Sequence, residues 1–157
     1  MFLLGIFRGV DKPLFFLYNK VYSMREETNM KTVTKQFTNI QDGIKNLIKA
    51  ANADYCDRSY KSEKEVPNYV SEMQEQFKNG WTIKEGKKYI GIYKTLGNQS
   101  SIWGGVVKED SANGLLKKGD ILKAAGYGTY TMVGAGRRGN VLEGNYSVSW
   151  TGANYLV

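Results

Sequence analysis

Histidine is absent from this chain of 157 residues, which also has only one cysteine and two prolines. Without histidine there is no Ser–His or Cys–His catalytic pair, no His-ligated zinc and no histidine pH switch. The single cysteine, Cys56, can form neither an internal disulfide nor a cysteine zinc site, which favours a reducing compartment. Both prolines, Pro13 and Pro67, precede residue 81, so the C-terminal half is free to form central strands.

Catalytic and cofactor motifs are also missing. The sequence contains no P-loop lysine motif, HExxH, EF-hand loop or GxSxG elbow. Gly134–Gly139 matches GxGxxG, but the residues after it are strand-like and end too soon for a dinucleotide fold. Cys56 stands between acidic residues that disfavour a thiolate, so we interpret it as an ordinary helix-end cysteine. We therefore predict a protein that is not an enzyme and has no cofactor or metal.

What is abundant is glycine, concentrated in one half of the chain. Fourteen of the eighteen glycines and all three tryptophans lie in residues 81–157. Glycine supplies turns, whereas tryptophan and tyrosine favour half-buried strands. Gly97-Asn98 is a hairpin signal, and Tyr146, Val148 and Trp150 alternate with polar residues as in a strand with one buried face. This half is predicted to form five to seven antiparallel strands.

Two helices are predicted before this β unit. Thr38-Asn-Ile-Gln41 fits a capping box, in which Thr38 is the N-cap. An apolar stripe with helical spacing follows it; its members are Ile40, Ile44, Leu47, Ile48, Ala51 and Tyr55. Pro67 suits the first turn of the second helix, and Asn79-Gly80 suits its end. The predicted apolar face of that helix consists of Val66, Val70, Met73 and Phe77.

The N-terminal segment is apolar but interrupted. In residues 1–23, Arg8, Asp11, Lys12 and Pro13 break the apolar runs. The segment is therefore neither a membrane-spanning helix nor a signal peptide, and we do not expect secretion. We predict an N-terminal extension over residues 1–29 and a single α+β domain over 30–157, with helices within 38–79 and the β unit at 81–157. The expected fold has two N-terminal helices packed on a small, strongly bent antiparallel sheet or partial β-barrel.

The net charge of +7 is spread along the chain, and basic residues alternate with aromatic ones in the β half. Small barrels bind single-stranded nucleic acid through stacking platforms beside cations. We name as candidate nucleic-acid-binding residues Lys87, Lys88, Lys94, Lys117, Lys118, Lys123, Tyr127, Tyr130, Arg137 and Arg138. The competing interpretation is that these tyrosines are ordinary sheet residues and that the lysines protect sheet edges.

Several short segments resemble short uncharacterised proteins of marine bacteriophages. They are Val107–Asp110, Lys117–Ala125, Arg138–Leu142 and the Tyr146–Gly152 ending, and residues 126–137 depart from the likeness. The resemblance implies a viral origin and a location in the host cytoplasm or the virion. It implies no activity for any residue.

Three functions follow as hypotheses. The first is a non-enzymatic binding protein whose partner is single-stranded nucleic acid. The second is an oligomeric structural or virion component, with residues 1–23 as a strap between subunits of a homo-oligomer. The third is an inhibitor of a host protein. The diffuse basic charge favours the first, and the apolar N-terminus favours the second.

Overall fold

Two helices come before most of the strands in this computed structural model, which describes residues 32–33, 35–61, 65–126, 128–131 and 137–154. The helices are α1 (Ile40–Ser59) and α2 (Asn68–Asn79). The strands are β1 (Thr32–Val33), β2 (Trp81–Glu85), β3 (Tyr89–Leu96), β4 (Gln99–Val107), β5 (Asp120–Gly126), β6 (Thr129–Tyr130), β7 (Arg137–Asn140), β8 (Tyr146–Ser149) and β9 (Gly152–Ala153).

The predicted α+β fold is confirmed, and its sheet is not closed. Strands β2 to β6 pair in chain order, and β7 pairs with β5. A smaller sheet has the order β1-β8-β9, and all the ladders are antiparallel. The described part of residues 81–154 holds eight strands rather than five to seven, because β6 and β9 have only two residues each.

Helix α1 follows the predicted stripe but has a different cap. The N-cap is Asn39 rather than Thr38, and the Asn39 Oδ1 atom accepts a hydrogen bond from the Gln41 amide at 2.8 Å. An Asn side chain serves the free amides of a first turn as well as a Thr hydroxyl does. Ile44 and Leu47 are fully buried on the stripe that faces the sheet.

Helix α2 buries only part of its predicted apolar face. Val70 and Phe77 are buried, but Val66 and Met73 are each more than 40% exposed, so their assignment to that face is wrong. The helix ends at Asn79, and the C-cap residue is Gly80, whose φ of −84° is not left-handed. Glycine is required there for space, because a Cβ atom would overlap the carbonyl oxygen of Thr95.

The main sheet has two faces, defined by the alternation of side chains along β3. Ile90, Ile92 and Lys94 lie on the side that we call the helix face, because Ile90 and Ile92 belong to the core that contains the α1 residues. Tyr89, Gly91 and Tyr93 point to the opposite side, which we call the tyrosine face. These two faces carry the chemistry described below.

An aromatic cluster joins the helices to the helix face. Tyr55 of α1 stacks on Phe77 of α2 with ring centroids 3.9 Å apart. Phe77 also meets Trp81 and Trp150 edge to face, at 5.6 and 6.4 Å. The Trp81 ring then contacts Trp103 at 5.9 Å. Edge-to-face pairs of this kind add to the hydrophobic stabilisation of a core.

The predicted last strand is correct in its alternation but too long. Tyr146 and Val148 are fully buried in β8, whereas Trp150 is a half-buried turn residue. The Trp150 amide donates to Asp54 Oδ2 at 2.8 Å, and Asp54 is also paired with Arg58. The contact with this buried carboxylate holds the turn against α1.

Candidate nucleic-acid interface

Three tyrosine rings meet on the tyrosine face of the sheet. Strand β3 supplies Tyr89 and Tyr93, and the short strand β6 returns over the sheet with Tyr130. The Tyr89 and Tyr130 centroids lie 5.2 Å apart, with the rings tilted by 57°. Both of these rings are half-buried, whereas Tyr93 is 7% exposed. Tyr89 and Tyr130 therefore offer aromatic surface that solvent can reach.

Two paired glycines make the floor on which these rings lie. Gly91 of β3 pairs with Gly105 of β4. A Cβ atom on Gly91 would come within 2.7 Å of the Tyr93 ring, and one on Gly105 would overlap the Tyr130 ring. Glycine allows this close approach of an aromatic ring to the backbone, because any other residue would lift the ring from the sheet.

Burial affects the Tyr130 hydroxyl. It raises the pKa of Tyr130 above its ordinary value of 10, and the neighbouring Tyr93 and Tyr89 act in the same direction. At neutral pH this hydroxyl is therefore protonated and can donate a hydrogen bond.

Lysines surround the tyrosines. The Lys84 Nζ atom lies 4.6 Å from the centroid of the Tyr93 ring, and Lys87 and Lys88 are exposed in the turn between β2 and β3. Together with the tyrosines they line a groove of about 420 Å³. Lys84 was not among the residues named from the sequence. The register identifies it, because Lys84 pairs with Gly91 and so shares the tyrosine face.

A second cavity, of about 320 Å³, adjoins this groove and shares Lys87, Lys88 and Tyr89 with it. Between the β2–β3 turn and the end of β4, Lys108 Nζ pairs with the Glu85 carboxylate at 2.7 Å. This ion pair offsets a negative charge at the rim of the groove. The exposed amines of Lys87 and Lys88 thus give the rim a positive character.

No family model, curated protein or solved structure matches this chain. The resemblance to short phage proteins stays a prediction, and the function is inferred from the arrangement of the residues themselves.

The prediction that Lys94 binds nucleic acid from the surface is wrong. Lys94 is only 5% exposed, and its Nζ atom lies 3.6 Å from the Phe77 ring centroid and 4.4 Å from that of Trp81. The amine has no hydrogen-bond partner among the described residues. Burial lowers the pKa of Lys94 from 10.5 to about 8. Lys94 lies on the helix face because it follows Ile90 and Ile92 at even spacing.

Arg138 and Lys123 are also separated from the tyrosines. Arg138 is 3% exposed, and its Nη1 donates to the carbonyl oxygen of Ala153 at 3.0 Å, which ties β7 to β9. Lys123 is exposed, but it pairs with Gly104, which in turn pairs with Ile92 of the helix face. A single-stranded nucleic acid bound along the tyrosine face would therefore not contact these two residues.

Lys117 and Lys118 are exposed in the loop before β5, where their backbone has a structural role. The Lys117 amide donates to Asp120 Oδ2 at 2.9 Å, and the Lys118 amide donates to Asp110 Oδ1 at 2.8 Å. Asn140 Nδ2 donates to the other Asp120 oxygen at 3.0 Å. The Lys-Lys-Gly-Asp segment is thus a turn held by a buried Asp–Asn pair.

The remaining candidates are Tyr127 and the side chain of Arg137, and both lie outside the described residues. The same holds for residues 1–23, which the hypothesis of a strap between subunits requires, and for the proposed boundary at residue 30. These assignments stay predictions.

Among the described residues, no group of three or more His, Cys, Asp or Glu side chains could hold a metal ion. In the same part of the chain, neither helix has the length and apolar character needed to cross a membrane.

Proposed function

We propose that this protein is a non-enzymatic binder of single-stranded nucleic acid and that the tyrosine face is its binding surface. The observation that carries the proposal is the contact of Tyr89, Tyr93 and Tyr130 on a glycine floor, beside three surface lysines. The resemblance to phage proteins implies that the protein would bind this nucleic acid in the host cytoplasm or in the virion.

The aromatic rings supply the part of the affinity that does not depend on salt. Stacking of a base on an aromatic side chain contributes about 1–3 kcal/mol and tolerates any base, because every base has a π-face. Tyr89 and Tyr130 are the half-exposed rings of the cluster, so one or two bases can stack there. The tilt of 57° between the rings means that two bases would lie in different planes.

The lysines supply the electrostatic part. Lys84, Lys87 and Lys88 border the groove from one side, along β2 and its turn. A strand whose bases lie on the tyrosines would place its phosphates toward this rim. Each phosphate contact adds about 0.7 to the slope of log K against log salt for single strands, so three contacts predict a slope of about 2.

Fluorescence anisotropy with labelled 12-nucleotide DNA and RNA strands tests the proposal over a series of salt concentrations. We expect Tyr130→Leu to weaken binding by about 1–3 kcal/mol at fixed salt. Leucine keeps an apolar side chain over Gly105 while it removes the stacking surface. Chemical denaturation of the same variant shows whether the fold is retained.

The matched control is Tyr69→Leu, which changes a tyrosine that is 66% exposed on α2. This variant should bind as the parent protein does. Absence of binding at about 50 mM salt, where electrostatic attraction is strong, would contradict the proposal. Equal weakening by the two variants would also contradict it, since binding would then not involve the tyrosine face.

A further inference from the structure

Strand β2 forms an open edge of the main sheet. In the described part of the chain it pairs with β3 alone, and its residues 82–85 are all exposed. A strand at the edge of a sheet presents unpaired amide and carbonyl groups to any further strand. No residue of β2 is a proline, which would remove such an amide. The edge of β2 can therefore extend the sheet.

The ladder with β3 shows which backbone groups of β2 point outward. The Gly86 amide donates to the Tyr89 carbonyl oxygen at 2.8 Å, and the Thr95 amide donates to the Gly80 carbonyl oxygen at 2.8 Å. Hydrogen-bonded and non-hydrogen-bonded residues alternate along an antiparallel strand. The even-numbered residues of β2 therefore bond to β3. The amides and carbonyls that point away from β3 belong to Trp81, Ile83 and Glu85.

This edge is acidic where β2 begins. A groove of about 710 Å³ lies beside the first residues of the strand, and Glu72 and Glu75 of α2 line it together with Gly80 and Thr82. Both carboxylates are exposed. No lysine or arginine stands among the residues that line this groove, all of which the structure describes. The carboxylates therefore give this end of β2 a negative potential.

The same edge is basic where β2 ends. Lys87 and Lys88 are exposed in the turn that follows the strand. Glu85 is the last residue of β2, and its carboxylate is paired with Lys108 at 2.7 Å. Because that ion pair accounts for the charge of Glu85, the two lysines of the turn make this end positive.

A second copy of the chain is complementary to such an edge. When two copies pair antiparallel about a two-fold axis, the beginning of each strand lies beside the end of the other. With Ile83 opposite its own counterpart, Trp81 lies opposite Glu85, and the outward amides and carbonyls of both strands can all bond. The same register places Asn79, which lines the acidic groove, opposite Lys87 of the second copy. Each acidic end then faces a basic end, and this complementarity favours a second copy as the partner.

We propose that this protein forms a symmetric dimer by antiparallel pairing of β2 with β2 of a second copy. Ile83, which is 40% exposed, is then covered by its counterpart. Lys84 lies opposite Thr82 of the second copy, so no like charges are directly opposed. The two-fold axis is normal to the sheet, and the tyrosine faces of both copies therefore lie on the same side of one continuous sheet. The proposal does not depend on what that face binds.

Sedimentation velocity of the full chain without nucleic acid, over a series of protein concentrations, tests the proposal. We expect a reversible equilibrium between monomer and dimer, with a Kd on the order of 10–100 µM for so small an interface. A chain that remains monomeric at about 500 µM, well above that Kd, would overturn the proposal.

Charge reversal identifies the surface, because all four residues are exposed and should tolerate it. The double variants Lys87→Glu/Lys88→Glu and Glu72→Lys/Glu75→Lys should each weaken self-association about tenfold, since like charges would meet at both ends of the interface. An equimolar mixture of the two variants should form a heterodimer with the affinity of the parent, because both ends are complementary again. A mixture that associates no better than either variant alone would overturn the proposal.

Ile83→Pro tests the pairing of the strands themselves. It removes an amide that points away from β3, and proline is tolerated on an edge strand in this orientation. We expect the dimer affinity to fall about thirtyfold, because the symmetric pair loses two hydrogen bonds. The matched control is Ile83→Thr, which keeps the amide and should stay within about fivefold of the parent.

Chemical denaturation shows whether each of these variants retains the fold. Equal weakening by the folded proline and threonine variants would overturn the proposal, since association would then depend on the isoleucine side chain and not on the backbone of β2. If the proline variant does not fold, the mixture of the charge-reversed variants still decides the proposal.

Discussion

Both faces of the main sheet place a lysine over an aromatic ring, but the surroundings of the two lysines differ. On the helix face, Lys94 lies between Phe77 and Trp81 and is 5% exposed. On the tyrosine face, Lys84 lies over Tyr93 and is exposed. Cation–π geometry alone therefore does not mark a binding site. A lysine that is shielded from solvent packs within the core, whereas one that is exposed to solvent can be reached by a ligand.

The energetic consequence also differs between the faces. The fall in the Lys94 pKa from 10.5 to about 8 reflects the loss of hydration on burial. Cation–π contacts offset part of that loss and keep the amine among the rings. On the tyrosine face the Lys84 ammonium remains hydrated and can exchange water for a phosphate. The buried lysine therefore lowers stability at neutral pH, whereas the exposed one is available for binding.

The largest effect is expected from Phe77→Ala, which removes the centre of the aromatic cluster on the helix face. Phe77 is fully buried and contacts Tyr55, Trp81 and Trp150, so truncation should lower the free energy of unfolding by about 3–5 kcal/mol. Chemical denaturation measures this change. Tyr69→Ala on the exposed side of the same helix should stay within about 0.5 kcal/mol. Similar losses in both variants would mean that α2 does not pack as described.

Lys94→Met should stabilise the protein by about 1–3 kcal/mol at pH 7. The pKa change corresponds to roughly 3 kcal/mol of destabilisation of the charged form, of which loss of the cation–π contacts cancels part. The folded pKa of Lys94 is below the unfolded value, so from about pH 8 to 10.5 the unfolded chain binds more protons. The stability of the parent protein should therefore rise with pH over that range.

Denaturation at a series of pH values up to about 9, where tyrosines with an ordinary pKa of about 10 are still mostly protonated, measures both effects. The Met variant should lack this rise. A parent protein whose stability does not change from about pH 8 to 9 would contradict the burial of a charged Lys94.

The smallest effect on stability is expected from Lys84→Gln, the counterpart on the tyrosine face. An exposed residue of this kind should change the free energy of unfolding by less than about 0.5 kcal/mol. If Lys84 contacts a phosphate, the salt slope of single-strand binding should fall by about 0.7. Anisotropy and denaturation on one preparation give both values. A large loss of stability with an unchanged salt slope would reverse the roles assigned to the two faces.

Much of the fold was predictable because its signals are local. The stripe of α1, the Gly97-Asn98 turn and the alternation in β8 each depend on neighbours a few residues apart. The burial of Lys94 could also have been predicted, because side chains two residues apart in a strand share a face. This spacing places Lys94 on the same side as Ile90 and Ile92. The interpretation of the basic and aromatic residues as one surface is wrong at Lys94, because consecutive side chains of a strand lie on opposite faces.

The burial of Arg138 could not have been predicted from the residues next to it in the sequence. Its burial depends on Ala153, fifteen residues further along the chain, which reaches it through the β8–β9 hairpin. The groove likewise depends on the register that pairs Gly91 with Gly105 and on the return of Tyr130 over that pair. No short segment contains this information.

The α+β class, the position of the first helix and the absence of histidine chemistry follow from the amino-acid sequence alone, because periodicity, turn residues and composition are properties of neighbouring residues or of the whole chain. Which cations face solvent and which are buried depends instead on the tertiary structure. That outcome depends on strand register and on where the helices cover the sheet, and both are fixed by contacts between residues far apart in the chain.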